Sequence, residues 1–316
     1  MDQAISTSTV AVIVSFNPDL ALLREILGAL AGQCPAVIVD NGSSQSTLSA
    51  LKELLQDRDS VELITLQDNM GIAHAQNTAI QHITDNNTAI RYVLTLDHDS
   101  IPPDNMITCL ETTFEAFEKQ GNRVAAVGPV LYDPRDNKLL KFQKMKLFFP
   151  GKIDPEKITS ENPAVEVDGL NSSGTLISTK AFRVIGEFDS DLFIDHVETD
   201  WCFRAKEKGF KLFATTETKL THYMGDDICY YWFLKKRSMP YRSPSRHYYL
   251  TRNSILLQKR DYIPAAWKVA NILKLCFTFI YFGFFCKDRE QQRRCIFQGI
   301  RDGIKDITGT SAHSIL

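Results

Sequence analysis

Asp97 and Asp99 stand one residue apart in Leu94-Thr95-Leu96-Asp97-His98-Asp99-Ser100, where an apolar run ends. In an extended chain, residues i and i+2 point to the same side, so both acids share a face at the exit of a strand. Like charges at that spacing repel unless something positive sits beside them, and a hard divalent cation held by oxygen ligands answers that need. The same acids read as turn caps, because Ile101-Pro102-Pro103-Asp104 follows directly. A second acidic cluster lies in Asp195-His196-Val197-Glu198-Thr199-Asp200-Trp201-Cys202. Helical spacing there would put Asp195, Glu198 and Cys202 on one face.

The elements that must carry these residues are legible upstream. Residues 10–16, 36–40, 61–66 and 91–96 are short apolar, β-branched runs that predict strands. Between them, residues 18–33, 45–57 and 72–83 have helical spacing, and Pro18 suits a helix start. Repeated strand–helix units predict an α/β fold, a mostly parallel sheet flanked by helices. Ligands of such sheets bind at the carboxyl ends of the strands. Those ends carry Ser15-Phe16-Asn17, Asp40-Asn41-Gly42, Asp68-Asn69-Met70-Gly71 and Asp97-His98-Asp99. No GxGxxG follows the first strand and no GxxxxGK[ST] occurs, so a bound nucleotide would need a metal for its phosphates.

Residues 133–165 are rich in Lys and Pro without periodicity and predict a long connection, part of it mobile. Residues 167–182 predict a turn, a short strand and a helix start, and residues 211–225 a strand ending near His222. The 316 residues carry a net charge of −2, unevenly spread. Residues 226–316 hold 16 Lys and Arg against 7 Asp and Glu, whereas residues 1–225 hold 20 against 31. That asymmetry predicts an acidic catalytic domain over 1–225 and a basic, mostly helical region over 226–316 that meets something anionic. Seven scattered cysteines without a CxxC pair, and an N-terminus without a basic signal region, fit a reducing cytosol. Asn41-Gly-Ser, Asn86-Asn-Thr and Asn171-Ser-Ser are then chance sequons. Nothing points to nucleic acid as a partner.

The order VSFNP, VDNGS, DNMGIAHAQN, LDHDS, NSSGTLIS, DHVETDWCFR, THYMGD and RHYYLTRN resembles the family 2 inverting glycosyltransferases of GT-A (Rossmann-like) fold. Within them it is most similar to bacterial rhamnosyltransferases that use dTDP-L-rhamnose, and the likeness spans roughly residues 10–255. The resemblance implies that Ser15, Phe16 and Asn17 line the base pocket and that Asp40 bonds the nucleobase or ribose. It sets Gly71, Gln76 and Asn77 beside the nucleotide, with Gln76 where relatives often carry Arg. Asp97 would hold the ribose or a metal-bound water and Asp99 the metal. His98 varies from the usual Gln, and His222 falls near a family metal-site His. Glu198 falls where the family places its catalytic Asp or Glu. Asp195, Trp201, Ser173 and Gly174 would meet the acceptor, though Trp201 reads more readily as a packing residue than as a sugar platform. Arg246 or Arg252 would reach a phosphate.

The implied chemistry suits these residue types. Mg²⁺ or Mn²⁺ neutralises the charge that builds on a leaving nucleoside diphosphate, and an imidazole ligand favours Mn²⁺ somewhat. A single carboxylate at Glu198, its pKa raised by Asp195 and Asp200, takes the acceptor proton. One displacement inverts the anomeric centre. Alternatives stay open: another donor such as a UDP-hexose or UDP-galactofuranose, or a nucleotide-sugar-binding protein without turnover. Residues 265–286 are the most apolar stretch, but their uninterrupted part, Leu275–Cys286, is 12 residues against the roughly 20 that a span needs. Basic flanks predict a peripheral segment in the interface of an anionic membrane, at the inner face of the cytoplasmic membrane, near a saccharide or lipid-linked acceptor. Packing against the catalytic domain or a second subunit of a homo-oligomer is the competing reading.

Overall fold

The computed structural model describes residues 5–145, 150–223, 225, 227–233 and 235–311. Four strand–helix units open the chain: β1 (Thr9–Ser15) and α1 (Leu20–Leu30), β2 (Ala36–Asn41) and α2 (Gln45–Leu55), β3 (Val61–Leu66) and α3 (Ile72–Asn86), β4 (Tyr92–Asp97) and α4 (Met106–Lys119). Side-chain caps set the starts of the first two helices. Asp19 accepts hydrogen bonds from the Ala21 and Leu22 amides, so α1 begins at Leu20 rather than Pro18. Ser44 caps α2 in the same way.

Next come β5 (Val124–Asp133), β6 (Lys138–Leu139), β7 (Phe142–Met145), β8 (Pro150–Ile153), β9 (Ala164–Val167), β10 (Thr175–Ser178), α5 (Thr179–Ile185), α6 (Val197–Glu207) and β11 (Lys211–Thr221). The main sheet has the order β3-β2-β1-β4-β10-β5-β11-β9, with β6 on β5. β1 to β4 pair in parallel, β10 runs antiparallel between β4 and β5, and β11 is parallel to β5. Helices cover both faces, α1 and α4 through Leu23, Ile26, Leu110 and Phe114, and α3, α5 and α6 through Ile80, Phe182, Ile185 and Trp201. The expected α/β architecture is therefore the one observed. Residues 133–165 differ from expectation: β6, β7 and β8 lie within them, strands of two to four residues that are too short to show a period. Residues 146–149 lie outside the described residues.

The C-terminal region opens with a hairpin, β12 (Asp227–Phe233) and β13 (Lys235–Tyr241), before α7 (Pro244–Gln258), α8 (Ala265–Phe285) and α9 (Arg289–Ile304). Two glycines let α9 lie close on α7. A Cβ at Gly299 would come within 2.5 Å of the Tyr248 carbonyl oxygen, and one at Gly303 within 2.8 Å of that of Arg252. The Tyr248 hydroxyl donates to Asp302 Oδ2 at 2.8 Å across the same seam. α8 corrects the sequence expectation. It is one helix of 21 residues with a mean hydropathy of 1.4 in its most apolar window, long and apolar enough by length and composition to cross a membrane. Lys268 and Lys274 interrupt the apolar run in sequence but not the helix.

Candidate active site

The loops at the carboxyl ends of the first strands are tied to one another. Asn17 receives the Ser44 amide on its side chain and gives its own amide to Ser43 Oγ. Asn41 bridges to Asn69 and accepts the Met70 amide. Gly42 has φ 81°, and a Cβ there would meet the Asp68 backbone at 2.5 Å, so only glycine fits this crossing. Ser15 and Asp40 are register partners on β1 and β2, both fully buried. Asp40 Oδ2 accepts the Ser43 amide, while Asp40 Oδ1 and Ser15 Oγ have no hydrogen-bond partner among the described residues. Buried polar atoms left open side by side are what the polar edge of a bound base would satisfy. Phe16 stands exposed beside them.

At the end of β4, ligand atoms of Asp97, Asp99 and His222 lie within 4.8 Å of one another. His222 Nδ1 is 2.9 Å from Ser100 Oγ and 3.9 Å from Asp97 Oδ2. The His98 ring turns away, its Nδ1 at 3.1 Å from the Val14 carbonyl oxygen. Burial pushes the Asp97 carboxyl above the usual range, and Asp99 pushes the same way while His222 opposes it. Two carboxylates and an imidazole so placed fit a divalent cation, with Mn²⁺ suited to the mixed set and Mg²⁺ to the oxygens. When bound, such an ion neutralises charge on the oxygens of a leaving diphosphate. The Asn171-Ser-Ser-Gly turn docks against this strand end. Thr95 Oγ1 donates to the Ser172 carbonyl, the Asp97 amide donates to Ser173 Oγ, and the Gly174 amide donates to the Thr95 carbonyl.

Glu198 is the second residue of α6 and lines a small cavity with Thr95, Asn171, Ser172 and Cys202. Burial raises its pKa to about 7, the charges of Asp97 and Asp195 add to the rise, and Arg246 opposes it. Asp195 lies outside the helix, contrary to the expected three-residue face, because α6 begins at Val197. Burial would raise the Asp195 carboxyl, but Arg246 grips both its oxygens at 2.9 Å and holds it at about 2. Asp200, expected to act on Glu198, instead points into a buried ion knot with Arg204, Arg260 and the Tyr262 hydroxyl.

The turn before α6 is strained. Phe193, Asp195 and His196 all have φ between 62° and 66°, a region that non-glycine residues rarely occupy. Helix α7 supplies the restraint. Asn253 Nδ2 donates to the carbonyls of Leu192, Ile194 and Asp195 at 2.8, 2.8 and 2.9 Å. Arg252 donates to those of Asp191, Leu192 and Gly309, and His196 Nε2 meets Ser254 Oγ at 2.9 Å.

The matching family model is that of glycosyl transferase family 2, over residues 10–185. The chain is also 30% identical over 304 residues to the dTDP-rhamnosyl transferase RfbF of Shigella flexneri, covering 95% of this chain and 96% of that protein. The chain belongs to glycosyl transferase family 2. Two solved structures share its fold at low identity. GalNAc-T7 with UDP, GalNAc and Mn²⁺ matches with a TM-score of 0.60 at 11% identity, over 95% of this chain and 56% of that one. The mannosyltransferase PcManGT from Pyrobaculum calidifontis, in complex with GDP-Man and Mn²⁺, matches at 0.54 and 12%, over 95% and 87%. The chain is thus a glycosyltransferase of GT-A fold.

Within this family member the predicted residues separate into two groups. Ser15, Phe16, Asn17, Asp40, Asp97, His98, Asp99, Ser173, Gly174, Asp195, Glu198 and His222 gather at the strand ends and the turns docked on them. Gly71 serves the backbone: it caps α3 with φ 85°, and its amide is held by Asn69. Gln76 is buried, with its amide nitrogen on Ser172 Oγ at 2.7 Å, so it props the Asn171–Gly174 turn. Burial corrects the expectations for Asn77 and Arg252 and agrees with the packing reading of Trp201. Asn77 is hydrogen-bonded to the Phe188 backbone in both directions. Trp201 packs between Phe182 and Phe188 and donates to the Gly186 carbonyl. Arg252 is fully buried on backbone carbonyls, so it cannot meet a phosphate. Asn253 lies in the RHYYLTRN motif, but nothing in that motif signals its role, which comes from contacts with the distant turn before α6.

Proposed function

We propose that this enzyme transfers L-rhamnose from dTDP-β-L-rhamnose to a saccharide acceptor, with inversion, in the assembly of a bacterial surface polysaccharide. The near full-length similarity to a dTDP-rhamnosyl transferase carries the donor assignment. The site geometry agrees with it. Asp40 Oδ1 and Ser15 Oγ offer unpaired polar atoms to the thymine or ribose. Asp99, with Asp97 and His222, holds Mg²⁺ or Mn²⁺. Glu198 takes the proton of the attacking hydroxyl, which the Asn171–Gly174 turn and Asp195 help to orient. A carboxylate with a pKa of about 7 suits a base that works near neutral pH.

The enzyme works on the cytosolic side of the membrane, where its seven free cysteines stay reduced. The catalytic unit spans residues 1–225, and residues 226–316 form the basic part that meets an anionic membrane. α8 lies in the interface rather than across it, because Trp267, Asn271, Thr278 and Phe282 are buried against protein along one stripe. Calorimetric titration with dTDP, UDP and GDP in Mn²⁺ tests the donor. Tightest binding of dTDP, lost in EDTA and in Asp99→Ala, is expected. Preference for UDP or GDP would reassign the donor, and unchanged turnover in excess EDTA would remove the metal from the reaction.

A further inference from the structure

Ser100 stands between two of the three ion ligands. It follows Asp99 just past the end of β4 and is fully buried. Its amide approaches the Asp97 carbonyl oxygen at 3.4 Å, which closes the turn that carries both acids. Its hydroxyl meets two side chains among the described residues, Asp99 Oδ1 at 3.2 Å and His222 Nδ1 at 2.9 Å. His222 comes from far along the chain, just past β11, where its amide donates to the Tyr132 carbonyl at 3.0 Å. Arg135 holds the segment beyond it: Nη1 donates to the Gly225 carbonyl at 3.3 Å, and the guanidinium lies 5.3 Å from the centre of the Tyr223 ring. In the sheet, β10 and β5 lie between β4 and β11. Ser100 is thus a side-chain bridge between two strand ends that do not pair.

The hydroxyl has one proton to place between these neighbours. An ionised carboxylate only accepts, so the bond to Asp99 needs that proton. The Ser100 oxygen then accepts from His222, and Nδ1 must carry a hydrogen. The reverse arrangement would aim the hydroxyl proton at Nδ1 and leave an oxygen lone pair facing the Asp99 carboxylate at 3.2 Å. Asp97 does not decide the matter, since its Oδ2 lies 3.9 Å from Nδ1, beyond a hydrogen bond. A neutral imidazole with its hydrogen on Nδ1 keeps a lone pair on Nε2, the nitrogen then able to ligate a cation. Nε2 makes no hydrogen bond among the described residues.

We propose that Ser100 is a positioning residue of the ion site: it joins Asp99 to His222 and fixes the imidazole tautomer that presents Nε2 to Mn²⁺. This rests on the reading of Asp97, Asp99 and His222 as the ligands of the ion. Ligands bridged in this way are ordered before the ion arrives, which lowers the cost of binding it. Without the bridge the ring can turn and can hold its hydrogen on either nitrogen, and the site keeps mainly its carboxylate oxygens. The loss therefore falls harder on Mn²⁺, which gains from a nitrogen ligand, than on Mg²⁺.

Nitrogen NMR of isotopically labelled histidines, recorded in EDTA, reads the tautomer directly, with the His222 signal assigned by its absence in His222→Gln. At mildly alkaline pH, where a histidine ring is neutral, wild-type protein is expected to carry the hydrogen on Nδ1 and Ser100→Ala to lose that preference. Titration with Mn²⁺ alone, followed by electron paramagnetic resonance, is expected to show affinity about tenfold or more weaker in Ser100→Ala, as when a metal-ligating imidazole loses its outer hydrogen-bond partner. Mg²⁺ affinity, measured by competition, should fall less. Hydrogen on Nε2 in the wild type overturns the proposal, as does a Ser100→Ala variant with wild-type Mn²⁺ affinity or with equal losses for the two ions. A wild-type protein whose Mn²⁺ binding is unaffected by Asp99→Ala would instead strike the ion reading, while the tautomer, measured without metal, still judges the bridge.

Discussion

At the residue scale, Glu198, the proposed base, and its neighbour Asp195 are set apart by their surroundings. Asp195 is paired by a guanidinium fork and stays ionised, while Glu198, three residues on, is desolvated without such a partner. The raised pKa has a direct kinetic consequence. A base must be ionised to work, so turnover should fall as pH drops through about 7, a limb that a pH–rate profile at saturating donor measures. Glu198→Gln keeps the size but cannot accept a proton. Turnover should drop by about 10²-fold or more, with donor affinity within a few-fold of wild type by calorimetry. A variant with near-normal turnover would move the base to another group.

At the element scale, the acid-bearing turn is a strained piece of chain held by a helix that follows it by some fifty residues. Asn253 alone satisfies three of its carbonyls. Asn253→Asp preserves shape but replaces the donating amide by an acceptor, so three carbonyls lose their partner and face a carboxylate. The expected result is a loss of kcat of about tenfold or more with dTDP affinity retained, because the base moves while the nucleotide loops do not. Equal losses in both would mean general unfolding rather than misplacement. This clamp also explains what the sequence did and did not disclose. Asp97, Asp99 and the strand ends were legible because their chemistry follows from local pattern, strand by strand. The roles of Arg246, Arg252 and Asn253 were not, because the motif that contains them gives no sign of which distant carbonyls and carboxylates they will meet. Arg252 reads as a phosphate ligand in sequence and is an internal strut in the fold. The short strands of residues 133–165 were missed for a related reason: their pairing, not their composition, makes them strands.

At the scale of the whole molecule, charge organises the packing of the C-terminal helices on the sheet domain. Asp200 is fully buried and shared by Arg204 and Arg260, and Arg260 also meets Asp189. Asp200→Asn leaves two guanidinium groups short of a counter-charge in a desolvated place. Breaking a buried pair in this way costs about 3–5 kcal/mol, to be measured by chemical denaturation. The outer face of α8 and the basic balance of residues 226–316 together predict flotation with anionic vesicles at low salt. Salt should weaken the electrostatic part, whose reach is only about 8 Å at physiological ionic strength. Full-length protein that ignores such vesicles at low salt would leave the face to a protein partner.

The clamp on the strained turn is closed from far along the chain. Arg252 reaches the Gly309 carbonyl at 2.5 Å, the Gly309 amide donates to the Asp191 carbonyl at 2.7 Å, and the Ser311 amide donates to the Tyr249 hydroxyl. During synthesis, every side chain assigned to donor, ion and base has left the ribosome well before Gly309 is made. A nascent chain can therefore lay down its sheet and its nucleotide loops while the turn that aims Glu198 still lacks its last restraint. A chain ended before Gly309 is therefore expected to bind dTDP with Mn²⁺ while sugar transfer falls, which titration and a transfer assay on the shortened protein would measure.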